Sequence, residues 1–262
     1  MTYNATPGHI EDSEISYLIH DILSITGDTR ILVIPTTTSG TNVKDSSMYS
    51  HDLTALENVS NWLTTSVRSS FYTLNGTDDG MYVADTPDLT FGNGLVDSPF
   101  SVFALIYPTG DIGATTPDWL IAKEETCVYE AEYMFYLNHK RVYFDLADQS
   151  SGDWMGRSTG VDLTVGNWYF VCGTYDGSSL IGGIRIYVNG IRADTDSHSA
   201  GGYVAMEDTG AGLCVGYLTD TFPATGQNYY QGGIAAFGVC SGELNEDEVW
   251  TLHNTLKSYF GI

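Results

Sequence analysis

Two glutamates one residue apart, Glu130 and Glu132 in the stretch TCVYEAEYMFYL, are the first place where this sequence could do chemistry. Successive side chains on a β-strand alternate between faces, so both carboxylates would share one face. Paired carboxylates of this kind cleave glycosidic bonds, one as acid and the other as nucleophile or base. No tryptophan-rich strand flanks the pair, and the simpler expectation is a solvated strand face. Nucleophilic catalysis has less to work with. The six histidines are scattered singly, there is no Gly-x-Ser-x-Gly elbow, and the sequence exposes no Cys–His pairing. His139-Lys140-Arg141 reads as a hairpin tip.

Binding is better provided for. A sugar ring packs its apolar face on an exposed aromatic, while Asp, Asn or backbone groups take its hydroxyls. Residues 148–157 (DQSSGDWMGR) and 219–230 (TDTFPATGQNYY) have this composition, polar apart from their aromatics and without strand alternation. They nominate Asp153, Trp154 and Arg157 in the first loop, and Asn228, Tyr229 and Tyr230 in the second, as glycan-binding residues. The competing expectation for Trp154 is packing at the rim of the fold. Trp62 and Trp168 read as core. The 18 tyrosines also suit an interface, because tyrosine offers contact area at low entropic cost.

These residues need a scaffold of strands. Turn signals recur along the chain, and 29 glycines fit many tight turns between short strands. Residues 167–190 (NWYFVCGTYDGSSLIGGIRIYVNG) give the clearest pattern. An apolar run to Thr174 meets a turn at Tyr175-Asp176-Gly177 and returns through Ile184, Ile186 and Val188 into Asn189-Gly190. Asn-Gly tolerates the positive φ angles of a type I′ turn, so this is a hairpin.

Two segments are helical instead. In residues 11–26, Ile15, Leu18, Ile19, Ile22 and Leu23 form one apolar helix face, with Asp12 or Ser13 as cap and Gly27 as stop. That face would either pack on its own domain or dock on a neighbour. On the second view residues 1–29 are a docking or assembly arm. In the closing segment Asn245 and Glu248 make a capping box and Leu244 and Val249 a staple. Val249, Leu252, His253, Leu256 and Phe260 then share the face of a terminal helix lying across the sheets.

Ten basic against 33 acidic residues leave a formal charge of −23. No cluster of cations exists to neutralise phosphates, which excludes nucleic acid as a partner. An anionic membrane surface would repel the chain, and no apolar run approaches the ~20 residues that span a bilayer, so no membrane insertion is expected. The cysteines, Cys127, Cys172, Cys214 and Cys240, are too widely spaced for a disulfide framework and read as buried thiols. Without a CxxC pair a zinc site is not expected either. Residues 30–262 form one domain, large but within the range of β-sandwiches.

Residues 167–190 resemble the central hairpin of the laminin-G-like (concanavalin A-like) jelly-roll domains. Residues 72–89 (YTLNGTDDGMYVADTPDL), 99–107 and 230–247 (YQGGIAAFGVCSGELNED) are similar to further motifs of that family in the same order, and residues 43–54 to its opening turn. The resemblance implies an all-β, antiparallel sandwich of jelly-roll type with short N- and C-terminal helices. Glycanases of the family carry a third acid that is missing beside Glu130 and Glu132, so a binding protein and no enzyme is expected. Many members hold a structural calcium. Asp45, Asp78 and Asp79 are the carboxylates available for it, although the acids of the family's last strand are here Ala235 and Ala236.

Domains of this kind usually belong to exported proteins, whereas no signal peptide follows Met1. The expectation drawn is a non-catalytic decoration protein on the outer surface of a virus particle. It would form a homo-oligomer, dock on capsid or other virion proteins, and expose its lectin-like domain to host-surface glycans. The alternative is a carbohydrate-binding module of a bacterial surface or secreted protein, placed outside the cell. A glycan hydrolase or lyase comes third.

Overall fold

The structure, a computed structural model, describes residues 12–36, 39–57, 63–65, 70–125, 130–221 and 225–262. The chain opens with α1 (Asp12–Thr26), β1 (Thr29–Val33), β2 (Asn42–Val43), β3 (Leu53–Ala55), β4 (Leu63–Thr65), β5 (Ser70–Asn75) and β6 (Met81–Val83). It continues through β7 (Phe100–Pro108), β8 (Asp118–Glu125), β9 (Glu130–Asn138), β10 (Arg141–Asp148), β11 (Asp153–Thr159) and β12 (Tyr169–Tyr175). Next come β13 (Ile184–Val188), β14 (Ile191–Arg192), β15 (Asp194–Ala200) and β16 (Leu213–Val215). Last are β17 (Leu218–Thr221), β18 (Thr225–Gln227), β19 (Gln231–Ser241) and α2 (Glu246–Phe260).

The strands form two sheets. The first has the order β14-β13-β12-β7-β19-β5-β4, with β1 also paired to β19. The second runs β15-β11-β10-β9-β8-β16-β6-β3-β2, with the β17–β18 hairpin attached beside β8. Pairing is antiparallel apart from one parallel contact of β17 with β8. This is the antiparallel sandwich with two helices that the sequence predicts.

β7 (FSVFALIYP) and β19 (QGGIAAFGVCS) are apolar without alternation, the pattern of strands covered on both faces. One face turns Val102, Ile106, Val171, Ile186 and Val239 into the sandwich, against Tyr133, Phe135 and Leu137 of β9 and Val142, Phe144 and Leu146 of β10. The other turns Phe103, Leu105, Phe170, Ala235 and Ala236 outward, where both helices cover them.

Local signals in the sequence account for the junctions. Asn189 (φ 52°) and Gly190 (φ 77°) make the type I′ turn from β13 to β14. A Cβ on Gly190 would come within 2.7 Å of Trp250, so α2 can lie close only over glycine. His139 and Lys140, both at positive φ, form the tip between β9 and β10. The Asn245 side chain accepts from the Asp247 and Glu248 amides, and Glu248 Oε2 accepts from the Asn245 amide at 2.8 Å. Leu244 and the apolar face of α2 are buried on the first sheet. Gly27 (φ 65°) ends α1 and Gly261 (φ 67°) ends α2.

Cys172, Cys214 and Cys240 are buried and take part in no disulfide. Burial pushes the Cys172 thiol well above its ordinary range and that of Cys240 up to about 12. Trp168 is half-buried and meets Phe71 edge-on at 5.2 Å. Cys127 and Trp62 lie outside the described residues. Among the described residues no helix is long and apolar enough to cross a membrane.

The assembly face expected on α1 is turned inward. Leu18 and Ile22 are buried against the first sheet and α2, and Ile15, Ile19 and Leu23 are half-buried. Leu18, Ile19, Ile22 and Leu23 belong to an intramolecular layer, and a boundary at residue 29 cuts through that layer. An Ile22→Ala substitution should leave a cavity under α1 and lower the unfolding free energy by about 2–5 kcal/mol in denaturant titration. A fall in solution mass with stability unchanged would instead return this face to an assembly role.

Candidate functional site

The inner face of the second sheet is committed to the core, which leaves its outer face to carry chemistry. Along β9, Tyr133, Phe135 and Leu137 point into the sandwich, so Met134 and Tyr136 point out. Register then aligns outward aromatics on neighbouring strands. Trp119 of β8 pairs with Tyr136, and Tyr136 with Tyr143 of β10. Ring centroids lie 4.9 Å apart for Trp119–Tyr136 and 5.1 Å for Tyr136–Tyr143. The row continues to His198 of β15 at 5.3 Å and from it to Trp154 of β11 at 5.4 Å.

A cleft of about 520 Å³ opens beside this row, lined by Glu124, Ala131, Met134, Asp145, Ala147 and Trp154, together with Asp148, Gln149, Gly152 and Asp153. Its polar centre is Asp145, only 6% exposed. Asp145 Oδ2 accepts from Tyr136 Oη at 2.8 Å, and Oδ1 from His198 Nε2 at 2.7 Å. To reach His198 the carboxylate lies across Gly156, where a Cβ would sit 1.9 Å from Oδ1. Space, not backbone conformation, requires glycine there. Burial, reinforced by the Asp145 charge, raises the Glu124 carboxyl to about 7, and its Oε2 is buried without a hydrogen-bond partner. Burial and the same charge also raise the Tyr136 hydroxyl. The arrangement offers an apolar ring platform, a fixed acceptor and a carboxyl that carries a proton near neutrality.

The structure disperses the nominated glycan residues. Asp153, Trp154 and Arg157 lie on a strand, not a loop, and alternation splits them. Trp154 lines the cleft, whereas Arg157 turns to the opposite face and pairs with Asp194 at 2.9 Å. Asp153 borders the cleft but holds the Gly202 amide at 2.7 Å. In the other group Tyr230 is fully buried in the main core, its hydroxyl donating to the Gly233 carbonyl, so it cannot meet a ligand. Asn228 and Tyr229 are half-buried beside a separate opening with Asp111 and Asp118, and Tyr229 stacks on Tyr217 at 5.6 Å. Glu124, Tyr136, Tyr143, Asp145 and His198 were not nominated from the sequence.

The expected solvated Glu130–Glu132 face is also corrected. Lys123 pairs with Tyr133 and Glu124 with Ala131, so Glu132 is the extra residue of a β-bulge. The bulge brings Ala131 to the cleft, while Glu130 stays half-buried. Glu132 is fully buried and accepts from Lys123 Nζ at 2.5 Å and from the Thr209 amide and hydroxyl. The same ammonium reaches Asp85 at 2.8 Å and the Ala211 carbonyl at 2.9 Å.

The carboxylates expected to hold calcium are each engaged by hydrogen bonds within the fold. Asp45 Oδ1 accepts from the Leu32 and Ser47 amides, and Oδ2 from the Ser47 hydroxyl and the His51 amide. Asp78 and Asp79 are held by Asn75. Ala235 and Ala236 are buried beneath the helices. Among the described residues the acids that converge are instead Asp85, Glu132 and Asp208, and Lys123 already bridges the first two.

The family model of the concanavalin A-like lectin/glucanases superfamily (laminin G type) matches residues 75–250. The chain belongs to this superfamily. No match is found among curated proteins. Among solved structures it is similar to the binding domain of Paraclostridial Mosquitocidal Protein 1, with TM-score 0.66, 15% identity, and 90% of this chain covering 56% of that one. It is also similar to the botulinum neurotoxin serotype D ligand-binding domain in complex with N-acetylneuraminic acid, with TM-score 0.64, 13% identity, and coverage of 92% and 55%. The botulinum neurotoxin serotype G binding domain gives TM-score 0.64, 13% identity, and coverage of 88% and 52%. At these identities the likeness shows the fold, and the chain spans little more than half of each neighbour.

Two outcomes follow from the buried charges. Lys123→Ala strands Glu132 in the interior and should cost about 3–5 kcal/mol in denaturant titration, whereas Lys123→Met with Glu132→Leu should recover most of that loss. Folded Glu124 keeps its proton to about pH 7, while an unfolded glutamate ionises near about 4.3, so its contribution to stability is present below that window and lost as pH rises through it. Asp118, raised to about 6 by burial, acts in the same direction. Glu124→Gln should therefore flatten part of the fall in Tm between about pH 5 and 8. An unaltered Tm profile would show that Glu124 is not protonated in the fold.

Proposed function

We propose that this chain is a non-catalytic, lectin-like module that binds carbohydrate in the cleft on the outer face of its second sheet. The observation that carries this reading is Trp154, open on the cleft beside Asp145 and Glu124 and continuous with the row of rings. Ligand sites combine apolar and aromatic walls with a few placed polar groups, and a sugar ring needs both. Superfamily membership supports the reading, as do the neighbours, which are binding domains, one of them in complex with a sugar.

A module of this kind acts outside the cell at a glycan-coated surface, as the receptor-binding part of a larger protein or on a particle. The quoted neighbours are toxin binding domains, so the virion setting, with its capsid partners and homo-oligomer, rests on the sequence alone. Glycan-array screening followed by calorimetry should find an oligosaccharide ligand, and Trp154→Ala should weaken it at least tenfold, or about 1.4 kcal/mol, with the unfolding curve unchanged. Undiminished binding in that variant would place the site elsewhere.

A further inference from the structure

The sign of charge in the cleft constrains its ligand further. Among the described residues that line it there are four carboxylates, Glu124, Asp145, Asp148 and Asp153, and no lysine or arginine. The cations of neighbouring strands are engaged elsewhere. Lys123 is buried with Glu132 and Asp85, Arg157 lies on the opposite face with Asp194, and Arg141 pairs with Asp162 and Asp196. An acidic sugar entering here would meet like charge with no counter-ion.

Three of the four carboxylates are committed. Asp145 holds Tyr136 and His198, Asp148 accepts from the amides of Val204 and Ser151, and Asp153 holds the Gly202 amide. Both oxygens of Asp145 and of Asp148 are thus hydrogen-bonded, and Asp153 is held through Oδ2, so these three mainly supply negative potential. Glu124 differs, because its buried Oε2 has no partner. We infer that the cleft selects glycans bearing free amines, that is de-N-acetylated hexosamine residues, over neutral and acidic ones, with Glu124 as counter-ion to the bound ammonium. This inference rests on the carbohydrate-binding reading above.

The physical ground is exchange of one cation for another. Burial and the Asp145 charge make Glu124 hold a proton, and an ammonium in the same place satisfies that field without it. A sugar stacked on Trp154 occupies the cleft that Glu124 lines, so its ring substituents meet that carboxyl. Charge pairing across a partly enclosed cleft weakens with salt, which separates it from ring stacking.

The test is calorimetric titration of the full chain at pH 6 with three probes: glucosamine tetramer, its fully N-acetylated counterpart, and sialyllactose. The amine tetramer should bind at least tenfold more tightly than the acetylated one at about 50 mM salt, with most of that advantage gone at about 500 mM. Sialyllactose should bind most weakly. Glu124→Gln should abolish the preference for the amine while leaving the acetylated tetramer unaffected, and Trp154→Ala should weaken both. Equal or tighter binding of sialyllactose overturns the charge inference but leaves the carbohydrate reading intact. Amine binding that survives Trp154→Ala marks adsorption to an acidic surface and overturns the inference too. Failure of glycans on a broad array, with the chain folded by circular dichroism, would overturn the carbohydrate reading itself.

Discussion

The first sheet is apolar on both faces, and the architecture follows from the need to cover it twice. β7 presents large side chains alternately to each side, and β19 turns Ile234, Phe237 and Val239 to the sandwich and the small Ala235, Ala236 and Cys240 to the helices, each large side chain gaining about 1.5–3 kcal/mol on full burial. One side is satisfied by the second sheet. The other would be an exposed patch far larger than a monomer tolerates unless α1 and α2 lay over it. Both helices are therefore spent on the scaffold. The second sheet gives one face to the core, and the cleft lies on the other.

The scarcity of cations shapes what that open face becomes. With ten Lys and Arg in the chain, the described cations near the cleft are drawn into pairs on other faces or at edges. Exposed pairs of this kind contribute little to stability. Their larger effect is positional, because they take positive charge away from the cleft. Lys123 is the exception in energetic terms, since it alone neutralises Glu132 in the interior.

Sequence and structure agree where information is local. The Asn189-Gly190 turn and the Asn245–Glu248 capping box are each encoded within a few residues, so they could be read directly. The cleft could not, because its walls come from β8, β9, β10 and β11, and only register brings these together. Part of the signal was present: Tyr143, Asp145 and Ala147 alternate with Val142, Phe144 and Leu146, which marks a second, decorated face. The bulge at Glu132 hid the rest, since one inserted residue reverses which side chains face out. Trp154 and Arg157 were grouped by proximity in a stretch read as a loop, whereas on a strand an odd separation divides them. Tyr230 looked like loop because of its polar neighbours, yet it is buried in the core just before β19.

The described thiols carry a consequence for where the chain can mature. Oxidation and disulfide exchange proceed through the thiolate, and Cys172 and Cys240 are held protonated beneath the helices, far above physiological pH. Cys214 is likewise buried in the second sheet. No bridge involving these three enters the fold's energetics, so glutathione potential gives it no handle on them. As far as these three residues are concerned, the same native state is reached in reducing and in oxidising surroundings.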